Sequence, residues 1–329
     1  MTKYKEIRGI HIQSVATDPE PYAGAWSSGG NLNTARSQVI QGADGTATAA
    51  ILAGGNNTTA NVETYNGTSW TEIADLNTGR NSTGLAGTTT AAVDFGGRTP
   101  GTTNMDNTET FNGSSWSEVN ELNTARMRIG RAGTSTAALG YGGGPPYQAV
   151  TETWNGSAWS ETGDLNTARR NTGAGGTYTS SIVAGGDTPG SDEVNNVETW
   201  NGSSWTETTE INTARKRLGG AGASNTATVV FGGQIPPNSP SSATDTGITE
   251  LWNGSSWTET GDLNTGRYFG ASFGISTAAI MAGGQSNPPP TYQATTEQWN
   301  GSSWTEVADI SVRSVISGAG TTTSGLVFG

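Results

Sequence analysis

Residues 61–80 read NVETYNGTSWTEIADLNTGR, and the chain writes this unit again and again. It returns as NTETFNGSSWSEVNELNTAR (107–126), TETWNGSAWSETGDLNTAR (151–169) and VETWNGSSWTETTEINTAR (197–215). ITELWNGSSWTETGDLNTGR (248–267) and TEQWNGSSWTEVADISVR (296–313) complete six clear copies, and YAGAWSSGGNLNTAR (22–36) is a degenerate seventh. The second tryptophans are Trp26, Trp70, Trp116, Trp159, Trp205, Trp257 and Trp304, spaced 43 to 52 residues apart. Self-similarity at about 40–50 residues is the mark of a radially repeated architecture.

Each unit reads as four strands. A Gly/Ala-rich strand a, such as NSTGLAGTT (81–89), is followed by strand b, TAAVDFGG (90–97). VETY or TETW is strand c, and Asn-Gly turns it back into strand d, SWTEIADL (69–76), since both residues tolerate the positive φ of a tight hairpin. Alternation in Trp-Thr-Glu-Ile places Trp70 and Glu72 on one face and Thr71 and Ile73 on the other. Four-stranded antiparallel sheets repeated about an axis make an all-β propeller. The seven motif units predict seven blades in one domain spanning 1–329, with the repeats over 21–329. The chain ends on LVFG (326–329), the close of a strand b, so the last blade is expected to be shared by N- and C-terminal strands. Its strand c would come from IRGIHIQSV (7–15) or ATDPEPY (16–22), and segment 1–20 is also free to attach the ring to a larger particle.

The order Arg, strand, Gly-Gly, strand, aromatic, turn, Trp resembles the kelch repeat. The matching residues include Gly54–Gly55, Gly96–Gly97, Gly185–Gly186, Gly232–Gly233 and Gly283–Gly284, with the pairs Tyr65/Trp70 and Trp200/Trp205. The resemblance covers about residues 22–329, and the hairpin is shorter than the usual kelch one. The NGSSWTE…LNTAR wording is also similar to repeat arrays encoded by marine bacteriophages and bacteria.

Composition excludes several chemistries. Charged residues are 13% of 329, glycine contributes 49, and the net charge is −12. Acidity of that order disfavours a nucleic-acid binder, which needs clustered Lys and Arg. With no Cys and one histidine, His11, thiolate chemistry is excluded, and no metal or cofactor site is expected. A Ser-His-Asp triad would have to rest on His11 alone. Galactose oxidase carries a kelch-like ring, but its copper, histidine ligands and cysteine-modified tyrosine have no counterparts here. The N-terminus MTKYKEIRGIHIQSV has no apolar core of signal-peptide type, and no apolar run is long enough to insert in a membrane.

Near-identical copies expose what varies. The b–c connections do: 56–61, 98–107, 144–150, 187–196, 234–248 and 285–294 differ in length and wording. In an up-and-down blade the b–c and d–a connections emerge on one face, and variable loops on a rigid scaffold are where binding resides. The two residues after each motif arginine vary as well. Among and beside them are Arg128, Arg131, Arg170, Lys216 and Arg217 on three consecutive blades, with Tyr268 and Phe269 on the next. These seven are the candidate ligand residues, a basic arc with an adjoining aromatic pair suited to an anionic or sugar ligand. Pairing with Asp187, Asp192 and Glu193 in the nearby loop is the competing reading.

The motif arginines Arg36, Arg80, Arg126, Arg169, Arg215, Arg267 and Arg313 recur once per unit, as do Glu63, Glu109, Glu152, Glu198, Glu250 and Glu297. Such symmetry reads as inter-blade structure. The Asn-Gly-Ser/Thr triplets match glycosylation acceptors, but hairpin chemistry accounts for them. The expected function is a non-catalytic binding or structural module without cofactors. It would be a virion-surface component, adhesin, fibre tip or capsid decoration, recognising a host glycan or other virion proteins and present in several copies. The alternatives are a cytoplasmic kelch-type interaction scaffold, and a carboxylate-based glycan hydrolase or lyase using Asp94, Asp187 or Asp192.

Overall fold

The alternation in each unit folds into short antiparallel ladders. The computed structural model describes residues 26–37, 43–56, 59–99, 103–190, 193–235, 244–287, 291–313 and 315–329. Blade 1 consists of strands Ala43–Thr46, Ala49–Ala53, Val62–Tyr65 and Trp70–Glu72, hydrogen-bonded in that order. Blade 2 is Gly84–Thr88, Ala91–Phe95, Thr108–Phe111 and Trp116–Glu118. Blade 3 is Gly130–Thr134, Ala137–Tyr141, Thr151–Trp154 and Trp159–Glu161, and blade 4 is Gly173–Thr177, Ser180–Ala184, Val197–Trp200 and Trp205–Thr208. Blade 5 is Gly219–Ser224, Ala227–Phe231, Thr249–Trp252 and Trp257–Glu259. Blade 6 is Ala271–Ile275, Ala278–Ala282, Thr296–Trp299 and Trp304–Val307.

Burial follows position in the blade. Strand b is closed on both faces, as in Ala49–Ala53, because neighbouring sheets cover it. Strand d keeps only its tryptophan inside and turns Thr and Glu outward. Strands a of successive blades pack side by side around the axis. A Cβ on Gly220 of blade 5 would stand 2.5 Å from the Ala174 carbonyl oxygen of blade 4, so the channel wall has room only for the smallest residues there.

The aromatic residues join the blades. Within each blade the strand-c and strand-d rings sit 5.2 to 5.5 Å apart. The strand-d indoles also reach back to the preceding blade. Trp159 packs on Phe95 at 4.7 Å, Trp205 on Tyr141 at 5.0 Å and Trp304 on Phe231 at 4.7 Å. Their Nε1–H groups donate to Thr108, Thr151 and Thr249 Oγ1 at 2.8 to 2.9 Å. Each contact buries a large apolar ring and satisfies its one donor.

The structure corrects the blade count. Among the described residues there are six four-stranded blades, not seven. Ser317–Thr321 and Ser324–Phe328 form a two-stranded sheet whose first strand packs against strand a of both blade 6 and blade 1. Phe328 meets Trp70 edge-on at 5.0 Å, and Trp26 packs with Phe273, Ile280 and Val327. Counting tryptophans overcounted blades because the first motif copy is degenerate. It lacks the strand-c glutamate and the Asn-Gly turn, and residues 26–36 contain no strand. No N-terminal closing strand is present among the described residues. The two segments expected to supply its strand c, with His11 and the attachment segment 1–20, lie outside them.

Candidate functional site at the channel mouth

The d–a and b–c connections share one face because they hydrogen-bond to each other. Leu76 N donates to Ala60 O, Arg80 N to Thr59 O, and Gly55 N to Arg80 O. Equivalent bonds recur at Leu122, Arg126 and Gly97, and at Leu165, Arg169 and Gly143. The first glycine of each Gly-Gly pair has φ near +60°, and a Cβ on Gly54 would lie 2.2 Å from Arg80 O. The pair is therefore fixed by contact with the motif arginine's backbone.

Beneath this face six of the motif arginines are locked. In blade 4, Glu198 accepts from Asn166 N at 2.7 Å, Asn166 Nδ2 at 2.9 Å, Thr167 N at 3.3 Å and Arg169 Nη2 at 2.8 Å. Arg36–Glu63, Arg80–Glu109 and Arg215–Glu250 pair likewise at 2.7 to 3.2 Å, and Arg126 and Arg267 pair with Glu152 and Glu297. Each d–a junction thus clasps the strand-c glutamate of the following blade. Burial pulls the Arg169, Arg215 and Arg267 guanidinium pKa values down, and the partner glutamates oppose it. Arg313 differs: it donates to Ser311 O and has no ion pair among the described residues.

Above the locks, the second residue after each motif arginine from Arg80 to Arg313 is left-handed. Ser82, Arg128, Asn171, Arg217, Phe269 and Val315 all have φ between 55° and 58°. Such a conformation costs a non-glycine residue about 1–2 kcal/mol. Backbone bonds join these residues from blade to blade: Arg128 N to Ser82 O, Arg217 N to Asn171 O and Val315 N to Phe269 O. The variable side chains are therefore delivered to the mouth of the channel by strained backbone bonded in pairs across neighbouring blades.

The structure divides the seven candidate residues into four groups. Arg170 and Lys216 are paired. Arg170 Nε lies 3.3 Å from Asp187 Oδ2, and its guanidinium stacks 4.6 Å over Tyr147. Asp187 also accepts from Tyr147 Oη at 2.7 Å and Asn171 Nδ2 at 2.8 Å. Lys216 Nζ is 2.9 Å from Glu193 Oε1. Arg217, Tyr268 and Phe269 form one stack. The Arg217 guanidinium stands 4.9 Å over Phe269 and 5.5 Å from the Tyr268 ring centre, and Nη1 donates to Gln234 Oε1 at 2.8 Å. Burial raises the Tyr268 phenol pKa. Arg128 makes no side-chain hydrogen bond or ion pair among the described residues. Burial lowers its pKa, and Arg170, Arg98 and Arg217 add repulsion while Asp187 opposes them. Arg131 lies lower, on strand a of blade 3, opposite Gly140. Asp192, one of the proposed competing partners, lies outside the described residues.

Sequence reasoning missed Arg98. It follows Gly96–Gly97 directly, pairs its backbone with Asn81 and donates from Nε to Asn81 Oδ1 at 3.0 Å. A count of cations would have found it. Of 16 Lys and Arg, seven are motif arginines and three are Lys3, Lys5 and Arg8, which leaves six. Those six are Arg98, Arg128, Arg131, Arg170, Lys216 and Arg217, and all stand on blades 2 to 5 at the mouth or in the wall below it. Tyr147 and Gln234, which brace Arg170 and Arg217, were missed too because loop wording carries no periodic signal.

Asp94 breaks the repeat for another reason. It lies fully buried on strand b, bonded to Arg80 Nε at 2.9 Å and Thr83 Oγ1 at 2.8 Å. Burial, partly offset by Arg80, raises its pKa to about 6. Among the described residues no group of three or more His, Asp or Glu is placed to hold a metal ion, and no helix is long and apolar enough to cross a membrane.

No protein-family model and no curated protein matches the chain. Its fold is similar to the solved structure of YjhT, with a TM-score of 0.63 and 11% identity over 83% of this chain and 97% of that one. At that identity the likeness shows a shared β-propeller fold.

Proposed function

We propose that this protein is a non-catalytic binding module that recognises a surface glycan through its b–c and d–a loop face, as an externally displayed component of a phage virion. The observation that carries the reading is the placing of charge. A chain of net charge −12 carries every Lys and Arg outside its structural motif and its first eight residues on blades 2 to 5, at the channel mouth or in the wall below it. Aromatic faces for sugar stacking stand beside them, with Tyr292 61% exposed near the Tyr268–Phe269 pair. The kelch-like motif order favours a ring used for recognition, and the likeness of its wording to marine phage arrays favours the virion. Asp94 is sealed inside blade 2 and Asp187 is saturated by three donors, which favours binding over carboxylate catalysis. Several copies per particle would supply the avidity a single shallow site lacks.

Two measurements test this reading. Mass spectrometry and imaging of purified particles against cell lysate are expected to find the chain on the particle surface. A glycan-binding screen is expected to give retention that disappears when the 234–248 loop is replaced by the short 56–61 loop. A chain found only in lysate, or turnover of a polysaccharide probe, overturns it.

A further inference from the structure

The b–c connections of blades 5 and 6 each continue toward the mouth face as a small hairpin. Gln234–Ile235 pairs with Thr244–Asp245, and Gln285–Ser286 pairs with Thr291–Tyr292. Tyr268 bridges to Gln285, which lies opposite Tyr292 in the second hairpin. Residues directly opposite each other on antiparallel strands carry their side chains on one face, so Tyr268 and Tyr292 share a face. That face is turned toward blade 5. The Tyr268 ring stands beside the Arg217 guanidinium, and its Oη accepts from Asn287 Nδ2 at 2.8 Å. Asn287 N in turn donates to Asp245 Oδ2 of the first hairpin. Asp245 from blade 5 and Tyr292 from blade 6 are thus the two walls of one cleft, with the buried Tyr268 at its base.

We propose that Tyr292 and Asp245 form a subsite for a neutral hexose, its ring stacked on Tyr292 and its hydroxyls donating to Asp245. The inference rests on the glycan-binding reading and adds the class of sugar and the residue that selects it. An exposed aromatic face with a few oriented polar groups is what a sugar ring needs, and Tyr292 is exposed. The half-buried Asp245 carboxylate is oriented by two donors among the described residues, Asn287 N and Gln234 Nε2, the latter at 3.3 Å. A carboxylate offers about four lone-pair positions, so about two remain for hydroxyl donors. The cleft also balances its charge. Arg217 Nη1 donates to Gln234 Oε1, and Gln234 Nε2 donates to Asp245 Oδ1, so one amide links one guanidinium to one carboxylate. An acidic ring would meet the Asp245 carboxylate at close range, a repulsion that a neutral ring escapes.

The test uses the full chain and four probes of equal length: glucan, galactan, mannan and uronate oligosaccharides. Calorimetric titration is expected to show at least one neutral probe binding about tenfold more tightly than the uronate. Tyr292→Ala should weaken that binding about tenfold, while Tyr292→Phe, which keeps the ring, should match the parent. Asp245→Asn keeps the size of the side chain and an acceptor for Asn287 N but removes the charge. It should narrow the preference for neutral over uronate probes about fivefold, a change that loosened packing alone would not produce. All three variants should melt with the parent, since Tyr292 is exposed and asparagine preserves the bridge to Asn287. Unchanged neutral binding in Tyr292→Ala, or an unchanged preference in Asp245→Asn, overturns the subsite and leaves the glycan reading standing. Preference of the parent for the uronate does the same, as does a binding loss that merely follows a fall in melting temperature. Absence of binding to all four probes overturns both.

Discussion

Substituting Glu198 by alanine tests how the blades are held. The carboxylate is fully buried, and so is its partner Arg169, whose side chain has no exposed surface. In Glu198→Ala the guanidinium keeps its bond to Asn196 O but loses its counter-charge. Asn166 N, Asn166 Nδ2 and Thr167 N lose their acceptor at the same time. Removing one member of a buried pair costs about 3–5 kcal/mol, and each stranded donor about 1–3 kcal/mol. These costs overlap, so about 4 kcal/mol is expected. Arg313→Ala is the matched control, since the same motif position has no glutamate partner there among the described residues, and it should stay within about 0.5 kcal/mol of the parent. Urea denaturation followed by tryptophan fluorescence and circular dichroism gives both values if the two probes coincide. A Glu198→Ala loss below about 1 kcal/mol, or an equal loss in Arg313→Ala, would refute the clasp as the inter-blade lock.

Other perturbations have equally definite outcomes. The buried Trp116 Nε1 has no acceptor among the described residues, and the blade-1 position that corresponds to Thr108 is Val62; Val62→Thr should supply one and raise stability by about 1 kcal/mol in the same urea assay, whereas a loss would reject that register argument. Val315 is β-branched at φ 57°, so Val315→Gly should gain about 0.5–1 kcal/mol after glycine's own entropic cost, and a lowered melting temperature would contradict it. Asp94 binds a proton more readily in the folded chain than in the unfolded one, its pKa being about 6 against an ordinary 3.8. Its contribution is fully present below about pH 4 and is lost as pH rises through about 6, a gap worth about 3 kcal/mol. Asp94→Asn should flatten stability across that window, while an unchanged pH slope between 4 and 7 would refute the assignment.

The regular features were legible because they are written six times. Alternation in Trp70–Glu72 and its copies, the Asn-Gly turns and the Gly/Ala strands all carry local physics, and each appears where its residues require. The blade number was misread because a motif is not a blade. Trp26 and Arg36 look like the end of a full unit, yet residues 26–36 pack as irregular chain, with Asn33 and Arg36 clasping Glu63 of the next sheet. At the mouth, sequence placed Arg170, Lys216 and Arg217 beside the motif arginines but could not apportion them. Which of Arg170, Lys216 and Arg217 meets a carboxylate depends on loop paths through Asp187, Glu193 and Gln234 that no periodicity encodes. Left-handed backbone at Arg128 and Arg217 was hidden for the same reason, since neither residue type advertises positive φ.

A structure of the protein with a bound oligosaccharide tests the central claim most directly. The account predicts the sugar on the b–c and d–a loop face, with a ring toward Tyr268 and Tyr292 and polar contacts of about 3 Å to the loop residues. A ligand seated instead on the Asn-Gly hairpin face, or between Glu118 and Glu121 on the outer wall, would contradict it.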